Sequence, residues 1–261
     1  MLETFVHFAN ALADEASAMI HAGTTTQLGT SVKADRTFVT TLDLAIETRL
    51  RERIEATYPD HGIVGEEFGT VRSDAEWVWT LDPVDGTMAM VTGIPVYSTL
   101  IALLHRTVPV LGVMHFPAIG ARWVGVKDRR TTCNGQDCQT RGGAQLSDAV
   151  QSASSPDFFA APHEKSALAA LTQQTAWRIY GAAALSYGRL AMGRIDVAID
   201  AGLKLYDFAP FVPIVEGAGG TITDWAGRPI TLNSGPRVLA AGDARRHAAA
   251  LAIVQSYAPN D

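Results

Sequence analysis

"WTLDPVDGTMAM", residues 79–90, decides how the rest of this chain is read. An apolar run ends in two acids three positions apart, Asp82 and Asp85, followed by Gly86-Thr87. The run reads as a buried strand entering a turn. Two carboxylates at the end of a buried strand repel each other and lose hydration. They stay ionised there only if something positive sits between them.

The composition narrows what that charge can be. With 261 residues and 47% hydrophobic content, the chain can bury one large core or two lobes sharing an interface. Residues 1–145 are expected to form an N-terminal α+β lobe and 146–261 a C-terminal α/β lobe, together one unit. The formal net charge is −6 and no basic run occurs, which argues against nucleic acid as a partner. A metal cation, or a small substrate with a basic part, suits this balance better. The first twenty residues set acids within an apolar periodicity and lack a basic leader, so they read as an amphipathic helix, not a signal peptide. No window reaches the roughly 18 uninterrupted apolar residues a membrane span needs. A cytoplasmic location without a membrane partner is the expectation. Cys133 and Cys138 flank an Asn-Gly turn signal and are expected to face each other across two short strands as reduced thiols.

Along the chain, the periodicity predicts a helix over 2–22, ended by Gly23, and a polar loop after it. "TTLDLAIETRLRERIEATYP" reads as a second helix with a threonine cap, and "GIVGEE" as a short strand entering a loop. Residues 95–126 are β-rich. Helices are expected over 164–176, 182–193 and 243–256, and another from Asp207 to the Gly-Gly of "DFAPFVPIVEGAGG"; "IDVAID" reads as a strand and "TITDWAGRPI" as a hairpin. The whole is mixed α/β, α+β in its lobes, with helices and sheets in layers.

The acids fall at the ends of these elements: Asp43 in the first turn of the second helix, Glu66 and Glu67 after a strand, Asp82 and Asp85 around a turn, Asp207 at a helix start. Such positions can share one edge of a sheet. Magnesium takes oxygen ligands, one or two carboxylates each with water and substrate phosphate. Two such ions about 4 Å apart can clamp the attacking water and leaving oxygen of a phosphoryl transfer. Gly86-Thr87 then offers backbone N–H groups to a phosphate. Each piece alone has an ordinary reading too: Asp85-Gly86 as a turn, Asp82 or Asp207 as a helix cap.

Taken together, these stretches resemble the magnesium-dependent inositol monophosphatase-like phosphatases. "FVTTLDLAIE", "GEE", "LDPVDGT" and "YDFAPFVPIVEGAGG" match that family's motifs in order over most of the chain. The resemblance implies a layered αβαβα sandwich of the inositol monophosphatase and fructose-1,6-bisphosphatase type, commonly a homodimer. It implies two or three magnesium ions per site, with manganese able to substitute. Glu66, Asp82 and the Val84 carbonyl would hold the first ion; Asp82, Asp85 and Asp207 the second. Thr87 and Asp43 would orient the attacking water and help deprotonate it. The amides of Gly86 and Thr87 would grip the phosphate, and Lys33 would lie on a mobile loop over a third, weaker metal.

The C-terminal half resembles the histidinol-phosphate phosphatase branch, which implies L-histidinol phosphate as substrate and a place in histidine biosynthesis. The chain departs from that branch where His115 and Phe116 replace its Asp-Gln and where Ala121 replaces a Glu. Losing acids and gaining Phe116 would favour a flatter, less charged group, such as a nucleoside 5′-monophosphate, an aminocyclitol phosphate or a sugar phosphate. Ordinary core drift at Phe116 and Ala121 is the other reading. Asp200 falls where the family contacts substrate hydroxyls or amines, with pairing to Lys204 as the alternative. Tyr206 either lines the same pocket or packs.

Overall fold

The computed structural model describes residues 2–24, 30–32, 38–143 and 145–258; Lys33 lies outside them. An eight-stranded sheet runs, edge to edge, through Gln136–Asp137, Thr132–Cys133, Ala121–Val126, Val108–Phe116, Ser98–His105, Trp77–Asp85, Gly62–Gly65 and Gly69–Val71. Its pairs are antiparallel except Gly62–Gly65 with Trp77–Asp85, which run parallel. These two strands therefore deliver their C-terminal ends, and the acids that follow, to the same edge.

Helices Leu2–Thr24 and Thr41–Thr57 cover one face of that sheet. Ala9, Leu12, Ala16, Ile46, Leu50 and Ile54 bury their apolar stripe on Trp79, Leu81, Leu103 and Leu111. The 3.6-residue spacing puts those side chains on one side of each helix, and burying each large one contributes about 1.5–3 kcal/mol. On the other face, helix Phe211–Gly217 approaches the sheet so closely that only glycine fits beneath it. A Cβ on Gly112 would lie 2.2 Å from the Pro210 carbonyl oxygen, and one on Gly125 2.4 Å from the Ile214 nitrogen.

A second sheet of five strands follows in the order Trp177–Tyr180, Val150–Ala153, Val197–Asp200, Val238–Ala241, Thr221–Asp224. Its inner face shares a core with the Phe211–Gly217 and Leu185–Ala191 helices, through Ala198, Val238, Tyr187 and Ile214. Its outer face is covered by Pro162–Gln174 and Ala244–Gln255. The layers are thus helix, sheet, helix, sheet, helix.

Several boundaries differ from the sequence reading. The single helix expected from Asp207 is two, Leu205–Phe208 and Phe211–Gly217, because Pro210 cannot continue a helix and instead caps the second. The helix expected from 182 starts at Leu185, since Gly181 and Ala183 hold positive φ of 85° and 44°. "TITDWAGRPI" turns as expected, but Thr221–Asp224 pairs with Val238–Ala241, not with the residues just after the turn. The Asn134-Gly135 hairpin forms, yet its register sets Cys133 opposite Gln136 and leaves Cys138 beyond the strand. Both thiols are free, and burial pushes both above the usual thiol pKa.

Candidate active site

The strand Trp77–Asp85 carries an irregularity between Asp82 and Asp85: Asp82 pairs with Leu100, and Asp85 with Ser98. Two residues on one strand, Pro83 and Val84, thus oppose one on the other, Thr99. Side chains three apart on a regular strand point to opposite faces. The extra residue removes that alternation and aims both carboxylates the same way. Pro83 sits within the bulge, where its missing N–H costs no ladder bond, and its carbonyl accepts from Thr99 Oγ1 at 2.9 Å.

Glu66 joins them because its backbone N–H donates to the Leu81 carbonyl at 3.1 Å, tying the loop after Gly62–Gly65 to the neighbouring strand. Asp207, the third residue of helix Leu205–Phe208, accepts the Lys204 backbone N–H at 2.7 Å. Asp82 is 2% exposed. Burial holds its carboxyl well above the usual range, and the charges of Glu66, Asp85 and Asp207 push it the same way. Burial likewise raises Asp207, reinforced by Asp85 and Glu66. Asp85 rises to about 6, again chiefly from burial, with the Ser98 hydroxyl, 3.2 Å away, opposing the shift. Four acids from three separate segments therefore feel one another's charge.

Asp43 approaches from the start of helix Thr41–Thr57. Its Oδ2 accepts the Thr40 backbone N–H at 3.0 Å and a short bond from the Thr40 hydroxyl, closing a capping box. Its Oδ1 accepts from Thr87 Oγ1 at 3.0 Å. The same hydroxyl lies 3.1 Å from the Val84 carbonyl oxygen. Gly86, between the acids and Thr87, takes a φ of 78°, and no side chain caps the short helix it opens. That left-handed conformation suits glycine and explains its place there.

The donor set fits hard divalent cations. Asp82 Oδ1 is buried without any hydrogen-bond partner, a state that buried polar atoms rarely keep unless an ion or water completes them. Among the described residues no three His, Cys, Asp or Glu side chains are drawn into a preformed metal cage. Asp82 nonetheless lies within hydrogen-bond reach of both Glu66 and Asp207, and magnesium needs only one or two carboxylates per ion.

The residues read as substrate contacts are placed differently. Asp200 is fully buried, accepting the Ser154 backbone N–H at 2.7 Å and the Tyr187 hydroxyl at 2.9 Å; its partners are these, not Lys204. Burial lifts it to about 7. Tyr206 lies against the acids: burial and the charges of Asp207, Glu66 and Asp82 raise its phenol. Phe116 has no exposed surface and packs edge-on against Trp123, ring centroids 5.6 Å apart, opposite Ala121. His115, its neighbour, accepts from Arg122 Nε at 3.2 Å. Sequence reasoning gave Glu47 no role beyond its place in the "FVTTLDLAIE" motif and did not single out Tyr187. Glu47, four residues after Asp43, shares its helix face, a periodicity that could have flagged it.

Comparison with known proteins agrees with this geometry. Residues 1–258 match the model of the inositol monophosphatase family. The chain is 39% identical over 259 residues to an Arabidopsis thaliana protein named bifunctional phosphatase IMPL2, chloroplastic, covering 96% of this chain and 75% of that protein. It is 35% identical over 202 residues to a Mycobacterium tuberculosis histidinol-phosphatase, covering 75% and 77%. An inositol monophosphatase structure from Zymomonas mobilis superposes with a TM-score of 0.88 at 36% identity, covering 97% of this chain and 98% of that one. Likeness of this extent, on a chain whose acids meet where strands and helices end, settles its kinship: it belongs to the inositol monophosphatase family of phosphoric monoester hydrolases, which are generally metal-dependent.

Proposed function

We propose that this phosphatase hydrolyses L-histidinol phosphate to L-histidinol and phosphate with magnesium as cofactor. The hydrolytic reading rests above all on the Thr87–Asp43 contact standing beside the four acids. Glu66, Asp82, Asp85, Asp207 and the Val84 carbonyl would hold two magnesium ions. Bound there, magnesium supplies Lewis acidity, favouring ionisation of water and offsetting charge on the phosphoryl and ester oxygens.

The chain's own groups do the rest. Thr87 Oγ1 gives its hydrogen toward Asp43, which leaves an oxygen lone pair to accept from the attacking water. The proton relay then runs from water through Thr87 Oγ1 to Asp43 Oδ1. Asp43 Oδ2, held twice by Thr40, fixes the carboxylate's rotation. The backbone N–H groups of Gly86 and Thr87 orient the phosphate, and half-buried Tyr206 borders the organic part of the ester, while Asp200 stays within the core.

Two considerations favour histidinol phosphate. Proteins named histidinol-phosphatase stand among the relatives at 35% and 33% identity. The alternative, a nucleoside 5′-monophosphate, leaned on Phe116 as a stacking face, and that ring is wholly buried. Phosphate release from histidinol phosphate, nucleoside monophosphates, inositol phosphate and sugar phosphates, with and without magnesium, tests the assignment. A nucleotide or inositol phosphate turned over faster than histidinol phosphate would contradict it.

A homodimer is part of the same proposal. The edge strand Trp177–Tyr180 is exposed along its length, with Trp177 74% exposed, and a second copy covering it would remove an unpaired apolar edge. We also place the enzyme in the cytoplasm; two free thiols suit a reducing compartment, and no helix among the described residues is long and apolar enough to cross a membrane.

A further inference from the structure

Glu47 lies one helical turn after Asp43, fully buried, and none of the roles above uses it. Its carboxylate is bonded to the loop that joins Gly62–Gly65 to Gly69–Val71. Oε2 accepts the Glu67 backbone N–H at 2.7 Å. Oε1 accepts the Phe68 N–H at 3.2 Å and Arg51 Nε at 2.8 Å. Arg51 continues the clamp, donating a short bond to the Gly69 carbonyl and setting its guanidinium 6.0 Å from the Phe68 ring centre.

The loop is built to admit this carboxylate. A Cβ on Gly65 would fall 2.0 Å from Glu47 Oε1 and 2.7 Å from the Arg51 guanidinium, so any other residue there would displace the pair. With the Glu66 N–H given to Leu81, three successive amides, at 66, 67 and 68, have defined acceptors. Two of the three are Glu47 oxygens. A charged acceptor bonds amides about twice as strongly as a neutral one, and the ion pair with Arg51 offsets the cost of its burial.

We infer that Glu47 is a positioning residue for the metal site, setting where Glu66 presents its carboxylate. The inference rests on Glu66 being a metal ligand, as proposed above. One rigid helix then carries both the proton acceptor Asp43 and the clamp on the Glu66 loop, so the distance between relay and metal site is set within a single element. A ligand whose supporting hydrogen bonds are removed typically binds its metal about 10–100-fold more weakly.

Manganese titration by electron paramagnetic resonance tests this without turnover. Glu47→Gln keeps the shape but sets an NH2 group against an amide N–H. It is expected to bind manganese about 10–100-fold more weakly than wild type while retaining the wild-type circular dichroism spectrum. Glu164→Gln is the matched control: Glu164 is also a buried carboxylate, bonded to the Ala161 N–H at 3.0 Å and Arg237 Nε at 2.6 Å. Its manganese affinity should equal wild type. Should Glu47→Gln fail to fold, Arg51→Met, which releases Oε1 and the Gly69 carbonyl, should weaken manganese binding toward the lower end of that range. Wild-type affinity in a folded Glu47→Gln, or in Arg51→Met, would overturn the inference, as would equal weakening in Glu164→Gln. A wild-type protein that binds no manganese would overturn the metal reading itself.

Discussion

Thr87 Oγ1 donates to Asp43 Oδ1 at 3.0 Å, joining a turn after the central strand to the first turn of a helix 44 positions earlier. The bond makes Asp43 the base for this hydroxyl and leaves an oxygen lone pair on Thr87 to accept from water. Neither residue is a metal ligand in this account, so their loss should separate proton transfer from metal binding. Asp43→Asn should lower kcat by about 10²–10⁴ and leave manganese affinity within about twofold. Thr87→Ser, which keeps the hydroxyl, should stay far more active than Thr87→Val. Single-turnover phosphate release measures both, and equal rates for the two Thr87 variants would contradict the relay.

Asp85→Asn should abolish turnover yet raise the melting temperature of the metal-free protein. Asp85 is lifted to about 6 by burial and by Glu66, so its charge destabilises the folded state at neutral pH. Removing that charge should add on the order of 1 kcal/mol. Full activity in this variant with magnesium would refute its assignment as a ligand.

Magnesium should stabilise the protein by about 2.7 kcal/mol at a hundredfold excess over its Kd. The gain should grow as pH rises, because Asp82, Asp85 and Asp207 hold protons more tightly than ordinary carboxylates and must release them to bind a cation. Differential scanning fluorimetry across pH, with and without magnesium, reads this. A magnesium effect that shrinks with rising pH would contradict it.

Asp200 gives a pH signature of its own. Its folded pKa of about 7 stands above the ordinary 3.8, so between those values the folded protein holds a proton the unfolded chain has lost. The stability this contributes is complete below the lower value and disappears as pH climbs through the upper one. Asp200→Asn should therefore lose less melting temperature than wild type between about pH 5 and about pH 8. Parallel slopes would show that the carboxyl does not titrate there.

Trp177→Glu should convert a dimer to a monomer in sedimentation velocity, if the exposed edge strand is where two copies meet. A dimer that survives the substitution would place the interface elsewhere.

The sequence disclosed the acids better than their geometry. Asp82, Asp85, Glu66 and Asp207 were legible because charge at the end of an apolar run is costly and so conspicuous. The bulge that turns Asp82 and Asp85 the same way was not, since a one-residue slip in pairing depends on the partner strand. Glu47 was read only as part of a helix motif, for its acceptor role exists only once the Glu66–Phe68 loop folds over it. Phe116 was ambiguous from sequence alone: an aromatic at a departure from the family pattern read either as a stacking face or as core drift, and the strand buries it against Trp123. The split of the helix around Pro210 lay in plain view, while the partner of Thr221–Asp224 could come only from tertiary packing.

Anomalous diffraction from crystals soaked in manganese tests the central claim most directly. Peaks among the carboxylates of Glu66, Asp82, Asp85 and Asp207, with Asp82 shared between two of them, are the predicted result. Density without a peak at those oxygens, or peaks confined to other acids, would contradict the account.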